Sequence, residues 1–157
     1  MKKVIISILI GVGCLLVLFG GLFAYAIYES KSVDQVVATD VLVSSEWTEI
    51  TPDSLMKVNR QIQSLVFVID GYKHDVSDKI WQIKLPDGTV VKPEVQIFDE
   101  YGNVYCLQDS GRSNNDINFT PEGTAEFPKD KNYTKIRIRS DKPFQVSKVI
   151  WQNRNLK

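Results

Sequence analysis

Any proton-transfer chemistry that needs an imidazole in this 157-residue chain must use His74, the only histidine. It lies between Asp70 and Asp75 in a stretch that reads as a loop, where a histidine beside aspartates is ordinarily just solvated. No nucleophile elbow, HExxH helix, Walker loop or paired-cysteine zinc spacing occurs. The paired carboxylates of a glycoside hydrolase meet only in space and leave no spacing to read. A small hydrolase is therefore the third reading, behind a binding module and an accessory structural subunit, and the expectation is a protein that is not an enzyme.

Residue types suited to binding are better represented. Lys135, Arg137 and Arg139 alternate with Ile136 and Ile138, so they project from one side of a strand. Such a basic stripe suits an anionic polysaccharide, a phospholipid head group or an acidic protein. The plainer reading is a solvated edge-strand face whose charges discourage sheet-to-sheet association. Trp47, Trp81 and Trp151 are the rings a carbohydrate module would stack on sugars. Trp81 shares a face with Ile83 and Leu85, and Trp151 adjoins an apolar strand, so both read as core and Trp47 is left as the ligand candidate. Tyr72 and Tyr101 sit at turns and are expected to expose their rings to a ligand.

A structural calcium ion would take hard oxygen ligands from Asp109, Asn114, Asn115 and Asp116, or from Asp99 with Asn103. Turns use the same residue types without any metal, and no other cofactor is implied. Cys106, between Tyr105 and Leu107, reads as a buried, unreactive thiol, and Cys14 lies in an apolar run, so no disulfide is expected within the domain.

That apolar run, Val4 to Tyr28, is what the rest hangs from. A helix of this length covers about 37 Å, enough to cross a hydrocarbon core of about 30 Å. Lys2 and Lys3 precede it and no basic excess follows, which places the N-terminus in the cytoplasm and the remainder outside. Ala24-Tyr25-Ala26 offers a signal-peptidase pattern, so cleavage after Ala26 is the alternative to a retained anchor. Either way the domain is exported, and the short lysine-led start points to a bacterial envelope. Lys2 and Lys3 are the only charges before Glu29, so 19 basic residues less two leaves 17 against 19 acidic, a net of −2. That balance does not suit a nucleic-acid binder.

Residues 29–40 read as a polar stalk, and 41–157 as one domain. Ser54 to Gln63 reads as a short helix or an irregular connection. Leu65 to Ile69 is a short apolar run closed by Asp70-Gly71, the pattern of a central strand buried on both faces. Two hairpins follow, Ile80–Leu85 with Thr89–Val91 across Pro86-Asp87-Gly88, and Glu94–Asp99 with Val104–Leu107 across Glu100-Tyr101-Gly102-Asn103. Asp109 to Asn115 reads as an exposed loop. Asp116–Phe119, Thr124–Phe127, Tyr133–Ser140 and Phe144–Gln152 complete the strands. The fold class is all-β, an antiparallel β-sandwich preceded by one transmembrane helix.

The closing Tyr133-Thr134-Lys135-Ile136-Arg137-Ile138-Arg139-Ser140-Asp141-Lys142-Pro143-Phe144, with Val146 and Val149-Ile150-Trp151, resembles the last two strands of galactose-binding-like jelly-roll domains. The resemblance implies a final strand returning beside the first, and it implies a fold more than a ligand. The functional expectation is a membrane-anchored, extracytoplasmic binding module for envelope glycan or protein. An accessory subunit of a membrane complex is the alternative.

Overall fold

The computed structural model describes Val17, residues 19–22, 33–75, Lys79, 82–124 and 126–154. Residues 19–22 are helical, but among the described residues no helix is long and apolar enough to cross a membrane. Most of the expected span, the Ala24-Tyr25-Ala26 pattern and Trp81 lie outside the described residues.

The domain is all-β and antiparallel. Its strands are β1 (Val33–Val43), β2 (Thr48–Ile50), β3 (Met56–Lys57), β4 (Ile62–Val68), β5 (Ile83–Lys84), β6 (Val90–Val91), β7 (Pro93–Asp99), β8 (Val104–Arg112), β9 (Asp116–Pro121), β10 (Asn132–Ser140) and β11 (Phe144–Arg154). Nine form one sheet in the order β1-β11-β4-β9-β8-β7-β10-β2, with β3 also on β10, while β5 and β6 pair separately. The path curls back on itself, because the amide of Ser140 at the end of β10 donates to the carbonyl of Ser44 just after β1, at 2.7 Å. Two halves of the sheet thus face each other across one core.

Both expected hairpins form, β5–β6 and β7–β8, and β4 is central, held between β11 and β9 with Leu65, Val66 and Phe67 buried. Elsewhere the strands depart from the sequence reading. β1 begins at Val33, inside the segment expected to be a stalk, and pairs along its length with β11. Its first half is largely exposed, Val33 and Val36 included, while Val37 and Ala38 pack against the core. β8 continues to Arg112 and takes up half of the expected Asp109–Asn115 loop, with a register shift between Asp109 and Gly111. Thr124, Glu126 and Phe127 lie in no strand; Phe127 instead enters the core.

Trp151 is the centre of that core. It is fully buried, packs edge-on against Phe127 at 4.7 Å between ring centroids and at a tilt against Tyr133 at 5.6 Å, and donates from Nε1 to the carbonyl of Lys57 at 2.9 Å. β11, β10, β3 and the loop after β9 therefore meet at one ring. Tyr133 is as buried, but among the described residues its hydroxyl has no hydrogen-bond partner, and burial raises its pKa.

At the end of β7 a buried carboxylate organises the 99–103 turn. Asp99 accepts from the amides of Tyr101 and Asn103 at 2.9 and 2.8 Å and from Asn103 Nδ2 at 2.7 Å. Burial alone would raise its pKa; the Asn103 side chain and amide, the Tyr101 amide and the Lys131 charge together outweigh it and hold the carboxyl below the usual range. A depressed folded pKa means a contribution to stability that is complete above the unfolded value of about 3.9 and lost as pH falls through the lower folded one.

Replacing Trp151 with Phe leaves the Lys57 carbonyl without its donor and should cost about 1–3 kcal/mol in urea denaturation. Tyr133→Phe removes only an unpartnered hydroxyl and should stay within about 1 kcal/mol of the parent or exceed it. Asp99→Asn should flatten the fall in melting temperature between about pH 4 and pH 2; an unchanged acid limb would show that the turn carboxylate does not govern it.

Candidate functional site

Alternation along β10 sends Ile136 and Ile138 into the core and turns Lys135, Arg137 and Arg139 outward. The registers of the neighbouring strands determine what meets them. Arg137 stands opposite Glu49 of β2 and Gln96 of β7, and Gln96 stands opposite Cys106 of β8. A continuous outward row, Glu49–Arg137–Gln96–Cys106, therefore crosses four strands. Lys135 lies beside it with Phe98 and Val104, and Arg139 with Glu94.

Every cation of the stripe is paired. Arg137 Nε donates to Glu49 Oε1 at 2.6 Å, and Lys135 Nζ is 3.8 Å from the same oxygen. Arg139 donates to Glu94 Oε2 from Nη2 at 2.6 Å and from Nε at 3.0 Å. The Arg137 hydrogen bond, reinforced by the Arg137 and Lys135 charges, holds the Glu49 carboxyl below its usual range. The cations also cover aromatic rings: Lys135 Nζ and Arg137 Cζ stand 4.5 and 5.1 Å from the Phe98 centroid, and Arg139 Cζ stands 4.5 Å from that of Trp47.

This arrangement corrects the expectation of a free basic stripe, because two glutamates from other strands share its charge. Nor is β10 an edge strand; it lies between β7 and the short strands β2 and β3. Trp47 is half-buried and on this face, with one side of its ring occupied by Arg139.

The two tyrosines part company. Tyr101 is 71% exposed at the 99–103 turn, with Lys131 Nζ 4.5 Å from its ring centroid, at the opposite end of the face from Trp47. Tyr72 is fully buried, a correction to the expected exposed ring. Gly71 takes a left-handed φ of 74°, which turns the chain so that the next side chain falls back into the core.

Of the residues named as calcium ligands, Asp109 and Asn115 have partners within the protein. Asp109 is bonded to Arg112 and accepts from the Gly111 amide, and burial raises its pKa against those bonds. Asn115 adopts a left-handed φ of 69° and uses its backbone to join Ile69 and Tyr72. Among the described residues no three His, Cys, Asp or Glu side chains gather as a metal site.

Cys106 is exposed, not buried, because the β7–β8 register points Tyr105 and Leu107 away from the face that carries Cys106. Beside it an open groove of about 540 Å³ is walled by Val104, Pro121, Glu122 and Phe127. Glu49, Glu94, Gln96 and Phe98 escaped sequence reasoning. The alternation Glu94-Val95-Gln96-Ile97-Phe98 was the available signal, since it puts a polar residue or an aromatic at every outward position of β7.

Exposed ion pairs contribute little to stability. A double-mutant cycle on Arg139 and Glu94 should give a coupling below about 1 kcal/mol, read by chemical denaturation; a much larger value would make this face a structural brace. No protein-family model, no curated protein and no solved structure matches this chain.

Proposed function

We propose that the chain is a non-enzymatic interaction module, held at the outer face of the cytoplasmic membrane, whose β2–β10–β7 face docks a protein partner. The observation that carries this reading is the lattice of Arg137, Arg139, Glu49, Glu94, Trp47 and Phe98, assembled in register on one solvent face. Arginine and large aromatics dominate the energetic centres of protein interfaces. Side chains already held by neighbours lose less rotamer freedom on docking. Arg139 already occupies one side of Trp47 and leaves a sugar less of the ring to stack on, so the covered rings favour a protein over a glycan.

The Val4 to Tyr28 run with its leading lysines supports the anchor and an extracytoplasmic domain. A galactose-binding-like jelly roll is the finer fold reading, supported by β11 lying beside β1 immediately after the basic, apolar, basic strand β10.

The test places a photo-crosslinking residue at Gln96 of the full-length protein in its native membrane. A discrete adduct should form, vanish when Arg137 and Arg139 are both reversed to Glu, and be missing when the crosslinker sits at Lys148 on the other half of the sheet. Adducts that survive the reversal, or that form equally from Lys148, would sink the docking face. Loss of the adduct on adding purified envelope polysaccharide would turn the reading to glycan.

A further inference from the structure

Several lysines of the domain lack a carboxylate partner among the described residues, and two of them share one cleft. Arg112, Lys131, Lys135, Arg137 and Arg139 each have a carboxylate partner. Lys73 and Lys84 have none among the described residues. Both line one open cleft of about 670 Å³, together with His74, Gly71 and Pro86. That volume suits a small ligand or one unit of a polymer. Asp75, the carboxylate in the wall, is itself engaged, and Asp109, whose charge couples to His74, is already bonded to Arg112.

The walls are anchored. Buried Tyr72 roots the loop that carries Lys73 and His74: its amide donates to the Ile69 carbonyl at 3.1 Å and its carbonyl accepts from Asn115 at 3.0 Å. Lys84 stands on β5, whose hairpin is closed by Leu85 donating to Thr89 at 2.8 Å and by Thr89 donating to Asp87 Oδ1 at 2.8 Å. The two walls touch, since a Cβ on Gly71 would lie 3.5 Å from Pro86 Cγ. Two lysines on fixed backbone lining one cavity can serve a compact anion, whereas a solvated face needs no shared cavity.

We infer that this cleft binds a phosphoryl group. Lysine ammonium groups act as compact point charges and are common phosphate binders, while planar carboxylates are matched better by an arginine fork, which the cleft does not present. The amides of Lys73 and His74 have no partner among the described residues and stay available as donors. The group is either a free phosphate or one carried on a polymer.

The inference is tested on the full-length protein in detergent by following amide resonances during titration with inorganic phosphate, linear polyphosphate and, at matched ionic strength, acetate. Saturable shifts centred on Lys73, His74 and Lys84 are expected with phosphate and not with acetate. Tighter saturation by polyphosphate would identify the polymer as the source, and equal saturation per phosphate the free ion. The double variant Lys73→Gln, Lys84→Gln should weaken binding about tenfold or more at an unchanged melting temperature. If that variant is unstable, each single variant should weaken it several-fold. Arg137→Gln should leave phosphate binding intact, which separates this site from the docking face. Shifts that never saturate, an equal response to acetate, or undiminished affinity in the lysine variants would overturn the inference.

Discussion

The indole of Trp151 is the constraint on which most of the domain depends. Its N–H must find an acceptor once buried, and the carbonyl of Lys57 supplies it only if β3 is laid against the start of β10. Its ring edges and faces are filled by Phe127 and Tyr133, which come from a loop and from the opposite half of the sheet. β11 itself lies between β1 and β4, so a strand far along the chain completes β1. Contacts of that sequence separation form late and slowly, since loop closure precedes the gain from burial.

Charge is distributed unevenly around this frame. On the β2–β10–β7 face every cation is matched by a glutamate and laid over a ring, leaving a surface that is polar, ordered and only weakly charged in sum. At the end formed by the 71–75 loop and the β5–β6 hairpin, Lys73 and Lys84 line a cleft with no carboxylate partner among the described residues, although Asp75 lines it too. The proposed protein partner and the proposed phosphoryl ligand draw on this difference, an extended surface with interleaved charges in one case and a small cleft in the other.

Particular elements show how much was legible beforehand. The two hairpins and the buried run of β4 were readable because their signals, a turn sequence and a side-chain period, lie within a dozen residues. Tyr72 misled because a turn residue is ordinarily exposed, whereas the left-handed Gly71 folds this one inward. Cys106 misled because apolar neighbours suggested burial, while strand alternation gave it the opposite face from both. β1 was hidden because Asp34, Gln35, Thr39 and Asp40 interrupt its valines and leave no clean alternation to read.

By itself the sequence determined the all-β class, the hairpins, the outward parity of Lys135, Arg137 and Arg139, and the burial of Trp151, since each is a matter of local period and side-chain volume. The tertiary structure alone decided which strands are neighbours, and with that the chemistry of both candidate sites. Glu49 lies 88 residues from Arg137, and Glu94 lies 45 from Arg139. No local pattern encodes such pairings, because they follow from sheet order and register, which the packing of the whole core selects.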